Sequence, residues 1–171
     1  MKPVRVGVIG VGLWGTMHVE AYQALPHVQV IAIADAVPLV ARRVAESHNI
    51  PHWFADYQDL CALDEIDAVS IVTPEAEHLE PVRAAAGAQK HFLVEKPIAS
   101  TVDEAQAIVT AARDADVLLM PGHILRFENR YALIHEMLTS GELGRVVSIQ
   151  AGETGRSRLG KNTRALTRFL R

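Results

Sequence analysis

Three glycines, Gly10, Gly12 and Gly15, follow directly on the apolar run VRVGVI with the spacing Gly-x-Gly-x-x-Gly. At a strand-to-helix turn the first glycine permits the tight bend, the second lets a phosphate approach the backbone with no Cβ between them, and the third lets the helix pack close to the strand. The helix N-terminus behind them presents unpaired N–H groups, which is the chemistry of an anion site. Leu13 and Trp14 complete this loop. Asp35 falls 20 residues after Gly15, at the end of the next apolar run, where a carboxylate accepts hydrogen bonds from the hydroxyls of an adenosine ribose. Together they predict a dinucleotide site. A charge-assisted hydrogen bond is worth ~1.5–3 kcal/mol, and a 2′-phosphate would meet the same carboxylate with repulsion, so NAD is expected over NADP by about 10- to 100-fold. Arg42 and Arg43 on the following helix are the residues that would favour NADP, and Asp35 has the competing role of a turn or capping residue.

Thr73, Glu95, Lys96 and His123 each stand at the carboxyl end of a strand-like run, the place where ligands bind open α/β sheets. Pro97 biases Lys96 towards an extended backbone that presents its side chain, and a cis Lys96-Pro97 bond is one way to do so. A lysine ammonium there polarises an oxygen that gains negative charge as hydride moves, and it can pass a proton. His18 and His78 fall on helix faces and read as packing or local hydrogen-bonding residues rather than catalysts. None of the eight histidines has metal-ligand spacing and Cys61 has no second cysteine, so no metal is expected.

The elements that must position these residues alternate regularly. Strand-like runs are predicted at Val4–Ile9, Val28–Ala34, Ala68–Val72, Phe92–Glu95 and Val117–Met120, with a weak one at Trp53-Phe54. Helical patterns occupy Trp14–Leu25, Leu39–His48, Glu77–Ala86 and Val102–Ala115, the last opened by a capping box of Thr101 and Glu104. Such alternation gives right-handed βαβ crossovers, hence a doubly wound parallel sheet, the Rossmann fold. A further helix at Tyr131–Thr139 leads through two glycines to a predicted strand at Val146–Ala151, the expected beginning of a second α/β domain. The expected organisation is a dinucleotide-binding domain over residues 1–122, the start of another domain over 123–154, and a basic tail over 155–171.

In combination, the glycine fingerprint followed by His18, the Thr73-Pro74 pair with His78, the run HFLVEKPIA and the run PGHILRF resemble the Gfo/Idh/MocA family of oxidoreductases over about residues 3–151. The resemblance implies NAD(P)-dependent hydride transfer between the nicotinamide and a hydroxyl or keto carbon of a sugar, an inositol or a related polyol. It implies that Lys96 contacts the reacting oxygen, that Thr73, Pro74, His78 and Glu95 line the cofactor, and that His123 and Arg126 lie near nicotinamide and substrate, His123 as a second catalytic candidate. The run after Phe127 departs from the family, with Glu128-Asn129 where a proline is common. Family enzymes are about twice as long, and many carry an Asp-x-x-x-His motif in their second domain. No Asp follows Asp116 and no His follows His135 here, so the chain reads as a truncated enzyme lacking a proton carrier worth ~10²–10⁴ in rate.

The bulk composition bounds the alternatives. With 49% apolar and 22% charged residues the chain builds a packed core, and at 171 residues it holds one full-sized domain with an appendage. No apolar stretch reaches the ~20 residues of a membrane span, and the N-terminus lacks the shape of a signal peptide, so the cytoplasm is the expected compartment. The net charge of −3 conceals an asymmetry, because six of the 17 basic residues lie after Gly155 with no acidic residue among them. That tail has a single aromatic, Phe169, and no nucleic-acid motif, which argues against nucleic acid as a partner. A dinucleotide-binding module without turnover, or an interaction protein acting through the tail, are the competing functions. An unpaired strand at Val146–Ala151 would favour a homo-oligomer.

Overall fold

A computed structural model describes residues 2–150 of the chain. Six strands, β1 (Val4–Ile9), β2 (Val28–Ala34), β3 (His52–Phe54), β4 (Ala68–Ile71), β5 (His91–Val94) and β6 (Leu119–Pro121), form one parallel sheet in the order β3-β2-β1-β4-β5-β6. This is the doubly wound arrangement expected from the alternation of strands and helices, and its order reverses between β1 and β4. The helices are α1 (Leu13–Gln23), α2 (Pro38–His48), α3 (Tyr57–Cys61), α4 (Leu79–Gly87), α5 (Val102–Asp114) and α6 (Asn129–Thr139).

Side-chain alternation along the strands divides the core in two. Val6 and Val8 of β1, with Val30 and Ile33 of β2, pack with Val19 of α1 and Val44 and Ala45 of α2. Ile9, Ala32 and Ala34 turn to the other cluster, which Leu60 of α3, Val82 of α4 and Ile108 of α5 complete. Fully buried side chains such as Ile33, Ile71 and Val94 each contribute about 1.5–3 kcal/mol by leaving water. Strands buried on both faces read as continuous apolar runs, as VRVGVI and VQVIAIA largely do. At the amino end of the sheet Arg5 clamps the β1–β4 seam, donating from Nε and Nη2 to the Asp67 carboxylate at 3.2 and 3.1 Å, while its backbone N–H donates to the same carboxylate at 2.8 Å.

Most predicted elements are present with ends shifted by at most two residues, and β1 and β2 match without a shift. The Thr101–Glu104 capping box forms with both reciprocal bonds. Three expectations need correction. Helix α3 was not predicted, because five residues are too few to show a period. Its trace in the sequence is Gly7 in mid-strand, where a Cβ would stand 2.7 Å from Leu60 Cδ2. The helix expected from Glu77 is instead a 3-10 turn, Glu75–Glu77, followed by α4 from Leu79. Residues 146–150 are not a strand: no other segment among the described residues pairs with them, and Val147 is 82% exposed. Ala151 and the basic tail lie outside the described residues.

The described chain falls into two compact units, one ending at His123 and the other beginning at Ile124. The first contains the sheet. In the second, a 3-10 turn at Ile124–Phe127 precedes α6, whose N-cap Glu128 accepts from the Arg130 and Tyr131 N–H groups, and no residue of α6 is buried. Among the described residues no helix is long and apolar enough to cross a membrane.

Candidate functional site

A cleft of about 1220 Å³ opens at the carboxyl ends of the strands, where the sheet order reverses. Gly10, Gly12, Leu13, Trp14 and Gly15 form one wall, and Thr73, Pro74, Glu95, Lys96 and Pro97 form another. The two walls touch at Gly10. Its φ of +83° belongs to the left-handed region, and a Cβ there would lie 2.9 Å from the Thr73 nitrogen and the Val72 carbonyl. A Cβ on Gly15 would overlap the Gly10 carbonyl oxygen, so α1 can begin this close to β1 only without a side chain at that position. Gly12 is different: nothing stands within 4 Å of the Cβ it lacks, so its bare backbone faces open space in the cleft. That cradle, with the N-terminus of α1 behind it, fits a pyrophosphate.

Asp35 directly follows β2 and lines the cleft. Its Oδ2 accepts from the Val11 N–H at 3.0 Å and its Oδ1 from the Val37 N–H at 2.9 Å. The two roles weighed for Asp35 are therefore compatible: the turn bonds fix the carboxylate plane, and each oxygen keeps a lone pair for a ribose hydroxyl. Five more carboxylates line the cleft, from Asp56, Glu75, Glu77, Glu80 and Glu95, against one cation, Lys96. Neither Arg42 nor Arg43 is in the lining, and the Arg42 Nε donates to Glu46 at 2.8 Å.

At the other wall the Lys96-Pro97 bond is cis, and the Lys96 ammonium stands 5.9 Å from the centroid of the Trp14 ring. The Glu95 Oε2 accepts from the Lys96 N–H at 3.0 Å. Behind Glu95, His18 reaches the carboxylate with Nε2 at 3.1 Å and Ser70 Oγ with Nδ1 at 2.8 Å. Sequence reasoning saw His18 only as a local hydrogen-bonding residue and missed Ser70. The signal for Ser70 was present, since a hydroxyl inside the apolar strand AVSI must find a partner. Beside it the Tyr22 phenol is pushed up from its ordinary pKa chiefly by burial, with the nearby Ser70 hydroxyl opposing and the Glu95 charge adding.

Three expected site residues are not among those lining the cleft. His78 is 1% exposed and does not line the cleft; its ring lies 2.9 Å from the Thr73 carbonyl and 3.1 Å from the Ile98 carbonyl, bracing the Thr73–Pro97 wall from behind. A ring sealed in that way cannot touch a ligand. His123 follows β6, is exposed, and is not among the lining residues. Arg126 lies in the 3-10 turn of the second unit. Among the described residues no group of three His, Cys, Asp or Glu side chains could hold a metal ion, and burial pushes the Cys61 thiol up to about 11.

A family model described as "Oxidoreductase family, NAD-binding Rossmann fold" matches residues 4–123. The chain is 37% identical over 144 residues to D-xylose 1-dehydrogenase (NADP(+)) 2 of Haloferax volcanii, an alignment covering 84% of this chain and 43% of that protein. It is 29% identical over 145 residues to scyllo-inositol 2-dehydrogenase (NAD(+)) of Bacillus subtilis, covering 84% and 42%. Among solved structures, levoglucosan dehydrogenase in complex with NADH and levoglucosan superposes with a TM-score of 0.81 at 31% identity, covering 86% of this chain and 42% of that one. The chain thus spans about two fifths of the length of these relatives.

Proposed function

The chain belongs to the Gfo/Idh/MocA family of oxidoreductases, and from that premise we propose that it binds NAD(H) and takes part in oxidising or reducing a hydroxyl or keto carbon of a sugar, an inositol or a related polyol. The observation that carries this reading is the convergence of the glycine cradle, Asp35, Thr73, Glu95 and Lys96 on one cleft. The backbone of Gly10 to Gly15 would hold the pyrophosphate, with Leu13 and Trp14 flanking it, and Asp35 the adenosine ribose. Thr73, Pro74 and Glu95 would wall the nicotinamide end. The nicotinamide, when bound, supplies hydride transfer. Lys96 directs its ammonium at the substrate oxygen, stabilises negative charge developing there and holds the proton that oxygen gains or loses. His78 serves by bracing the Thr73 turn. His123, just past β6, is the second proton-carrying candidate at this edge of the sheet, and Arg126 a candidate contact to the cofactor.

Six carboxylates and a single cation in the lining favour NAD over NADP, because a 2′-phosphate would add charge to an already negative wall. Titrating NADH and NADPH side by side tests this: NADH should bind about 10- to 100-fold tighter, and Asp35→Ala should abolish the difference. Equal or tighter NADPH binding would refute the ribose assignment. With a panel of polyols and NAD, Lys96→Met should remove turnover while leaving NADH affinity nearly unchanged. NADH binding without turnover on any polyol would favour the reading as a binding module.

Self-association is part of the same proposal. Tyr131, Leu133 and Ile134 of α6 are all exposed, an apolar surface that pairing of two copies would cover. Light scattering at micromolar concentration should give a mass above that of one chain, and a strict monomer would remove this part.

A further inference from the structure

Behind the cleft wall, side chains from three elements form a directed polar chain. His18 comes from α1, Ser70 from the middle of β4, and Glu95 from the end of β5. Ser70 is fully buried, and the side chains of His18 and Glu95 are 18% and 15% exposed. An ionised carboxylate can only accept, so His18 Nε2–H donates to Glu95 Oε1 across 3.1 Å. In the neutral ring Nδ1 then accepts from the Ser70 hydroxyl across 2.8 Å. In that form the bonds run from Ser70 through His18 to Glu95. The remaining carboxylate oxygen, Oε2, accepts the backbone N–H of Lys96 at 3.0 Å.

The space for this arrangement is provided on both sides. A Cβ on Gly122 would stand 3.1 Å from Glu95 Oε1, so a side chain there would press on the carboxylate. The Tyr22 ring meets the imidazole edge-on, with centroids 6.1 Å apart at 77°. The carboxylate therefore has little freedom to turn, and each of its oxygens has a defined donor.

We infer that His18 is a positioning residue for Lys96, acting through Glu95. By fixing the carboxylate whose second oxygen holds the Lys96 amide, it sets where the lysine backbone lies and so where the ammonium enters the cleft. Neither ring nitrogen of His18 faces the ligand space, so its effect reaches the reaction only through this chain of bonds. The functional consequence rests on the role proposed above for Lys96, whereas the wiring is measurable without cofactor.

The test is amide hydrogen exchange and ring nitrogen NMR on the ¹⁵N-labelled chain. In the wild type at pH 8 the His18 ring should carry its proton on Nε2, and Ser70→Ala should move the Nδ1 resonance. In His18→Leu the Lys96 amide should exchange about tenfold faster or more, relative to the amides of Val69 and Val94, as expected for losing the anchor of a charge-assisted hydrogen bond. His18→Gln, which can place an N–H near the position of Nε2, should restore most of that protection. A Lys96 amide that exchanges at the wild-type rate in a folded His18→Leu chain overturns the inference, as does equal acceleration at Val69 and Val94, the mark of a merely structural role. If His18→Leu does not fold, the wild-type tautomer decides: a proton on Nδ1 overturns the wiring, and one on Nε2 that responds to Ser70→Ala supports it. NADH titration of the wild type separates the two readings, because failure to bind NADH refutes the proposed function and leaves these resonances unaffected.

Discussion

The two walls of the cleft are built by opposite means. On the β1–β2 side the wall is largely main chain: Gly10, Gly12 and Gly15 act through the side chains they lack, and Asp35 is oriented by the backbone N–H groups of Val11 and Val37. On the β4–β5 side the work falls to side chains, with Lys96 set by Glu95, Glu95 by His18, and His18 by Ser70. A wall of bare backbone fails at once when a carbon is added where another backbone already stands. A wall of linked side chains loses one bond at a time.

The largest effect should come from Gly15→Ala. Its Cβ would overlap a backbone oxygen, which no side-chain rotation relieves, so we expect a stability loss of about 3 kcal/mol or more and no NADH binding, read from denaturant melts and fluorescence titration. Gly12→Ala sharpens the contrast, because the added methyl meets only open space. Its stability should stay within about 0.5 kcal/mol of wild type while NADH affinity falls about tenfold or more. Unchanged NADH affinity in Gly12→Ala would break the comparison by removing the phosphate from this wall.

Ser70→Ala probes the other wall. It leaves His18 Nδ1 without its donor in a buried site, which should cost about 1–3 kcal/mol, seen as a lower denaturant midpoint at unchanged slope. NADH affinity should fall by less than in Gly12→Ala. An affinity loss as large as that of Gly12→Ala would show that the two walls are equally brittle.

The smallest effect concerns the Arg5–Asp67 clamp at the far end of the seam between the walls. The Arg5 hydrogen bonds hold the Asp67 carboxyl below its usual value of 3.8. A lowered native pKa means that the clamp's contribution is complete above the unfolded value and is lost as pH falls through the native one. With side chains 24% and 38% exposed, the pair is worth at most about 1 kcal/mol. Asp67→Asn should therefore be less stable than wild type by up to that amount at pH 7, and the gap should close as pH falls through the lowered native pKa. A gap that persists at the acid end would assign the effect to packing instead of charge.

How much of the site could be read from the chain follows the same division. The glycine wall was legible because Gly10, Gly12, Gly15 and Asp35 sit at fixed spacings around one strand, one turn and one helix. The side-chain wall was legible only as a motif. His18 lies 52 residues from Ser70 and 77 from Glu95, and no local pattern links such positions. His78 was expected to touch the cofactor, yet the packing that buries it between two carbonyls depends on Ile98, 20 residues on. The strand expected at Val146–Ala151 shows the converse error: β-branched residues give the propensity, but a strand exists only where a neighbour completes its ladder.

The sequence by itself determined the alternation of strands and helices, the doubly wound class of the sheet, and the cradle of bare backbone before α1, because each is a matter of short-range sterics and period. Only the tertiary structure decided which side chains complete the site. Bringing β4 beside β1 sets Gly10 against Thr73 and places Ser70, His18 and Glu95 within hydrogen-bonding distance. Hydrogen bonds of this kind depend on ångström-scale distances between groups that the chain keeps far apart, and those distances exist only once the core has closed around them.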